Sequence, residues 1–73
     1  MTDGARLRKR SVRISGHATS VSLEEDFWAA LKTLSAKRGI SVNALIAELD
    51  KQRTGNLSSA IRVYVLRETA KQA

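Results

Sequence analysis

The sequence predicts a mainly α fold, with one short β-strand and two or three helices per chain, completed by a second copy of the same chain. Three observations carry this prediction. Residues 17–23 alternate: Thr19, Val21 and Leu23 are β-branched or apolar, and Ala18, Ser20 and Ser22 between them are small or polar, which is the period of a strand with one face to bury. Two later stretches, about 24–38 and 42–52, repeat apolar residues at helical spacing. No second strand of matching pattern comes after the first, so its backbone donors and acceptors need a partner from outside, and the same strand of a second chain supplies one.

Taken in order, residues 1–10 read as a flexible basic arm, polar and interrupted by Gly4. The core of the domain is expected over 11–52, and a C-terminal helical segment over 53–73. Within the core, Ser11–Ile14 alternates with its apolar residues, Val12 and Ile14, on even positions, whereas the apolar positions from Thr19 onward are odd. One straight strand keeps strict parity. Ser15-Gly16 is therefore expected to be a bulge or bend separating a short extended piece from the main strand.

Ser22-Leu23-Glu24-Glu25 has the form of a capping box opening the first helix. Glu24, Glu25 and Asp26 then place anions in its first turn, where the helix dipole favours them. Phe27, Trp28, Leu31 and Leu34 form its apolar face, and Gly39 after Lys37 and Arg38 marks its end. Ser41 is the next N-cap. Val42, Leu45, Ile46 and Leu49 continue at helical spacing, and only Gly39 and Ile40 lie between the two helices, a tight helical hairpin. Arg53-Thr54-Gly55-Asn56 is a turn in which Asn56 caps the next segment. Ile61–Leu66 is rich in β-branched and aromatic residues, a strand signal. Leu57, Ala60, Ile61, Tyr64 and Val65 also share one helix face, and with the helix-favouring tail this predicts a third helix.

The chain has 73 residues, enough for one small domain with a thin stability margin. With no Cys and one His, disulfides, thiolate zinc sites and a histidine metal cluster are excluded, which leaves association with another chain as the remedy for a small core. The apolar set Thr19, Val21, Leu23, Phe27, Trp28, Leu31, Leu34, Leu45, Ile46 and Leu49 is expected to form the core of an intertwined homodimer with no stable monomer.

The formal net charge is +6 and the sequence pI about 10.6. The charge is uneven. Arg6, Arg8, Lys9, Arg10 and Arg13 face only Asp3 in the first twenty residues, while the helical middle is slightly acidic. A basic arm beside a near-neutral domain suits a polyanion, most often nucleic acid, and a solvated tail is the plainer reading of the same charge. No stretch has the apolar length of a membrane span, and no apolar segment comes after the N-terminal bases as a signal peptide requires; a cytoplasmic location is expected. No catalytic constellation is visible. His17 has no acid or Cys at triad or ligand spacing, the acids at 24–26 suit a helix start, and no Gly-rich phosphate loop occurs. Neither an enzyme nor a cofactor is expected. Gly39-Ile40-Ser41-Val42-Asn43 leads into a helix whose free amides favour phosphate, and Ser41 is equally an ordinary cap. Phe27 and Trp28 read as packing residues ahead of base-stacking ones.

With these elements in place, the chain resembles the ribbon-helix-helix (Arc/MetJ-type) DNA-binding family. The turn Gly39-Ile40-Ser41-Val42-Asn43 followed by Ala44-Leu45-Ile46 is close to that family's pattern. The longer series from Lys9-Arg10-Ser11-Val12 through Gly16–Ser20, Phe27-Trp28 and Arg38–Ser41 to Asn56–Arg62 resembles a bacterial subgroup of stand-alone members. The resemblance implies a dimer whose two strands pair into an antiparallel ribbon that enters the DNA major groove. It places Ala18, Ser20 and Ser22 against base edges. It places Ser41, Val42 and Asn43 on a phosphate, joined there by the basic residues Arg8, Lys9, Arg10 and Arg13. The family's outward strand residues are usually longer than Ala18, Ser20 and Ser22, which shifts part of the expected specificity to Ser20, to Arg13 and the arm, or to DNA shape. The function expected is sequence-specific transcriptional regulation, repression above activation because no second domain is visible. The alternatives are an antitoxin-like module whose segment 57–73 binds a protein partner, and a non-specific nucleic-acid binder.

Overall fold

The computed structural model describes residues 3–71. Its elements are β1 (Leu7–Ile14), β2 (His17–Glu24), α1 (Glu25–Arg38), α2 (Val42–Gln52) and α3 (Leu57–Lys71). Residues 1–2 of the expected arm and 72–73 of the expected C-terminal segment lie outside the described residues.

The strand expected to stand alone does not. β2 pairs antiparallel with β1 of its own chain, in a register running from Leu7 opposite Glu24 to Ile14 opposite His17. The two loop residues, Ser15 (φ 51°) and Gly16 (φ 82°), are both left-handed, as a type I′ hairpin turn requires. This register sets even residues of β1 opposite odd residues of β2. Opposed residues share a face, so the change of parity between Ile14 and Thr19 is the mark of a tight hairpin. The expected bend between two separate pieces is a turn between two paired strands, and the ribbon is complete within one chain. Residues 7–10 of the expected arm belong to β1.

The expected capping box does not form, because β2 runs on through Glu24 and no side chain caps α1. The N-terminal segment caps it instead, with its backbone. Glu25 N–H donates to the Arg6 carbonyl at 2.9 Å and Asp26 N–H to the Gly4 carbonyl at 3.0 Å. Gly4 lies against the Asp26 carboxylate, which would have to shift to admit a Cβ there. At the far end of α1, Gly39 (φ 70°) donates to Ala36 O at 3.1 Å and Ile40 to Ser35 O at 3.0 Å, a Schellman ending. Ser41 Oγ accepts from Ala44 N–H at 2.9 Å and opens α2. Asn56 Oδ1 accepts from Ser59 N–H at 3.2 Å and opens α3.

The core consists of Val12, Val21 and Leu23 from the hairpin, Trp28, Leu31 and Leu34 from α1, Leu45, Ile46 and Leu49 from α2, and Ile61 and Val65 from α3. All the residues expected in a dimer core are buried in the single chain except Thr19, which is exposed near the hairpin tip, and Phe27, which is half-buried. The core thus closes within one chain: β1 answers the backbone groups along one edge of β2, and α3 covers the apolar face. On α3, Ile61 and Val65 lie one turn apart and are both buried, so packing overrides the β-propensity of the segment. Arg38, at the end of α1, ties that helix to the middle of α2 and α3. It donates to both carboxylate oxygens of Glu48 at 2.8 and 3.1 Å and has the Tyr64 side chain as a further partner.

Candidate nucleic-acid interface

Strand alternation sorts the basic residues of β1 onto two faces. Lys9, Ser11 and Arg13 stand opposite Ser22, Ser20 and Ala18 on the outer face of the hairpin, which the pair Leu7 and Glu24 ends. Those six are exposed except Ser22, which is partly covered. Each long basic side chain lies across from a short one, with opposed Cβ atoms roughly 5 Å apart.

Arg8 and Arg10 stand opposite Leu23 and Val21, on the face that packs against the helices. Arg8 is ion-paired with Glu25. The Arg10 guanidinium lies over the Trp28 ring, 5.2 Å from its centre. Trp28 Nε1 donates to the Arg8 carbonyl at 2.9 Å, so this corner holds β1 against α1. Of the four basic residues expected at phosphates, two are on the outer face and two are engaged by the protein.

Asn43, the second residue of α2, reaches across to the free edge of β1. The Arg13 N–H donates to Asn43 Oδ1 at 2.8 Å, and Asn43 Nδ2 donates to the Arg13 carbonyl at 2.5 Å. The side-chain amide thus does what a neighbouring strand would do for one residue. Its hydrogen-bonding capacity is largely spent there, and Ser41 Oγ is spent on its cap, so what α2 offers an anion lies in its first backbone amides.

The clamp also fixes the hydrogen-bond phase of the hairpin. Because the Arg13 backbone points to Asn43, Arg13 and Ala18 are a non-hydrogen-bonded pair. By alternation, Ala18, Ser20 and Ser22 turn their own N–H and C=O groups away from β1. No partner for those groups exists among the described residues. The two edges of the ribbon therefore differ. One is closed against α2 at Arg13, and the other is an open row of small, uncharged residues. Glu24 ends that row, bound to Arg62 at 2.9 Å; this bond holds its carboxyl below the usual range.

Sequence reasoning missed the outer row of β1 as a row, and with it Ser11. The parity change at Ser15-Gly16 was the available signal. The Asn43–Arg13 clamp had no local signal, since its partners are thirty residues apart.

A six-residue polar and basic face on a two-stranded ribbon, backed by a helix pair, defines a class of nucleic-acid-binding domain. Residues 7–69 match the ribbon-helix-helix domain, and the chain belongs to that family. Its members are typically DNA-binding regulators. Among solved structures, it is similar to an uncharacterized protein from Bordetella pertussis Tohama I, with a TM-score of 0.82 and 33% identity over 94% of this chain. The chain spans 60% of the length of that relative. No curated protein matches it. Among the described residues no helix is long and apolar enough to cross a membrane, and no three His, Asp or Glu side chains gather as a metal site would need.

Proposed function

We propose that the protein is a sequence-specific DNA-binding transcriptional repressor that lays the outer face of its ribbon in the major groove. The observation that carries this reading is the outer face from Lys9 to Arg13 and from Ala18 to Ser22: these six side chains are donors, acceptors or small groups, and the acid that ends the face, Glu24 opposite Leu7, is bound to Arg62. Two copies join at the open edges of β2, antiparallel about an axis near Ser20. The pairing satisfies the unpaired backbone groups of Ala18, Ser20 and Ser22, a stretch of edge with no charge, Pro or bulge to blunt it. The two central β2 strands then form the reading ribbon, which the roughly 12 Å major groove admits. Ser20 and Ser22 donate or accept at base edges, and Ala18 meets a thymine methyl. The first amides of α2, at Val42 and Asn43, face a phosphate. Occupying its site is all that repression requires of such a protein.

The test is selection from a randomised duplex library. The wild type recovers a two-fold symmetric motif. Ser20→Ala shifts preference at the central positions by about 1–3 kcal/mol while leaving the salt dependence unchanged. Recovery of no motif by the wild type contradicts the reading.

A further inference from the structure

Four basic residues, Arg8, Lys9, Arg10 and Arg13, sit on β1, and charge alone does not separate them. The fold does. Arg8 and Arg10 lie on the helix-facing side of the hairpin and, though exposed, have partners, Glu25 and the Trp28 ring. Lys9 and Arg13 face outward, and neither side chain has a partner among the described residues. Elsewhere Arg38, Arg53 and Arg62 are paired with Glu48, Asp50 and Glu24. The chain pairs most of its arginines, and Lys9 and Arg13 are left on one exposed sheet face, two positions to either side of Ser11.

We propose that β1 grips the DNA backbone through Lys9 and Arg13, that Asn43 is the positioning residue holding Arg13 in place, and that Arg8 and Arg10 serve the protein's own packing. This inference rests on the DNA-binding reading above and deepens it. Neighbouring strands lie about 4.8 Å apart, so in the paired sheet β2 is about 2.4 Å from the dyad and β1 about 7 Å. The major groove is roughly 12 Å wide, and its walls begin about 6 Å from the same axis. The short side chains of β2 thus stand over the groove floor, and the long ones of β1 stand over its walls, where the phosphates are. Short central readers are the residues such an arrangement needs: a long side chain at 18 or 22 would hold the sheet off the bases.

Asn43 matters because β1 is an edge strand, and edge strands fray. Its two hydrogen bonds fix both backbone polar groups of Arg13 against α2. The Arg13 side chain therefore starts from a set backbone, and less freedom is lost when it meets a phosphate.

The experiment is a salt titration of the full-length chain on the duplex that the library selects, monitored by fluorescence anisotropy. Each phosphate contact contributes roughly 0.9 to the slope of log K against log salt. Lys9→Ala and Arg13→Ala each flatten the slope by about 0.9 per chain, near 1.8 for a dimer, and leave the recovered motif unchanged. Arg8→Ala and Arg10→Ala leave the slope intact and lower the melting temperature. Asn43→Ala weakens binding at little-changed slope, and the weakening disappears in the Arg13→Ala background, a dependence that a merely structural residue would not show. If Asn43→Ala does not fold, Lys9→Ala and Arg13→Ala still decide the matter. An Arg13→Ala variant that relaxes one motif position at unchanged slope makes Arg13 a base reader and overturns the inference. So does an Arg10→Ala variant that flattens the slope as much as Arg13→Ala. In both cases the DNA-binding reading survives. A wild type whose binding is insensitive to salt overturns both.

Discussion

Trp28 shows how much one side chain settles here. It is 5% exposed, its indole N–H bonds the Arg8 carbonyl, and Arg10 covers its ring. Burial and the hydrogen bond can be separated. Trp28→Phe keeps most of the apolar contact and loses the donor, and should cost about 1 kcal/mol in urea unfolding. Trp28→Ala should cost about 3–5 kcal/mol because the core cannot collapse into the space. Equal costs for the two would mean that the hydrogen bond, and not the packing, holds this corner. Glu48 gives a second test, in pH. Hydrogen bonds from Arg38 hold its carboxyl below the usual range, and Arg62 does the same for Glu24. The unfolded chain therefore takes up protons at these sites before the folded one does. Their stabilisation is present above the usual carboxylate value and is lost as pH falls through the lower folded value. Both carboxylates are partly exposed, so the effect is modest. Glu48→Gln should flatten the fall in melting temperature between about pH 5 and pH 3. An unchanged profile would show that the Arg38 bond contributes nothing in solution. At this scale legibility was uneven. Trp28 was readable as core because it falls in register with Leu31 and Leu34, whereas Asn43 could be placed at a helix start but its partner across the fold could not.

The helices were the most legible elements because each carries its own punctuation. The bounds expected for α2, 42–52, are those observed, since Ser41 caps one end and the turn at Arg53 closes the other. α1 begins one residue later than expected. Its start is where sequence and structure part: a sequence can spell a capping box, but here the chain N-terminal to β1 folds back and offers the carbonyls of Arg6 and Gly4 first. The hairpin was legible in its parts and not in its sum. The alternation of Ser11–Ile14 and the Gly after Ser15 were both visible. A tight two-residue loop pairs even positions with odd, so the parity change that suggests two separate strands is what joins them. The hydrogen-bond phase makes a sharp prediction. Val21 points its N–H toward β1 and Ser20 points its own toward the open edge. Val21→Pro should therefore unfold the chain. Ser20→Pro should leave each chain folded by circular dichroism while abolishing self-association and DNA binding. If Ser20→Pro still associates, the copies meet somewhere other than the edge of β2.

At the scale of the molecule, the largest departure from expectation is that one chain closes its own core. The apolar face looked too large for a monomer because one strand was missing from the count and α3 was ambiguous. With both in place, the core is buried within one chain, and the second copy proposed above serves the reading of DNA. The outer face then stands apart from the core's demands, and between its end at Leu7 and Glu24 and the hairpin turn it is composed of Ser, Ala, Lys and Arg. The most direct measurement of whether this face meets DNA is an NMR titration of the labelled protein with the selected duplex. The amides of Lys9, Ser11, Arg13, Ala18, Ser20 and Ser22 should shift together, along with Val42 at the start of α2, while α3 stays still. Shifts concentrated on α3 with the ribbon unmoved would contradict the account.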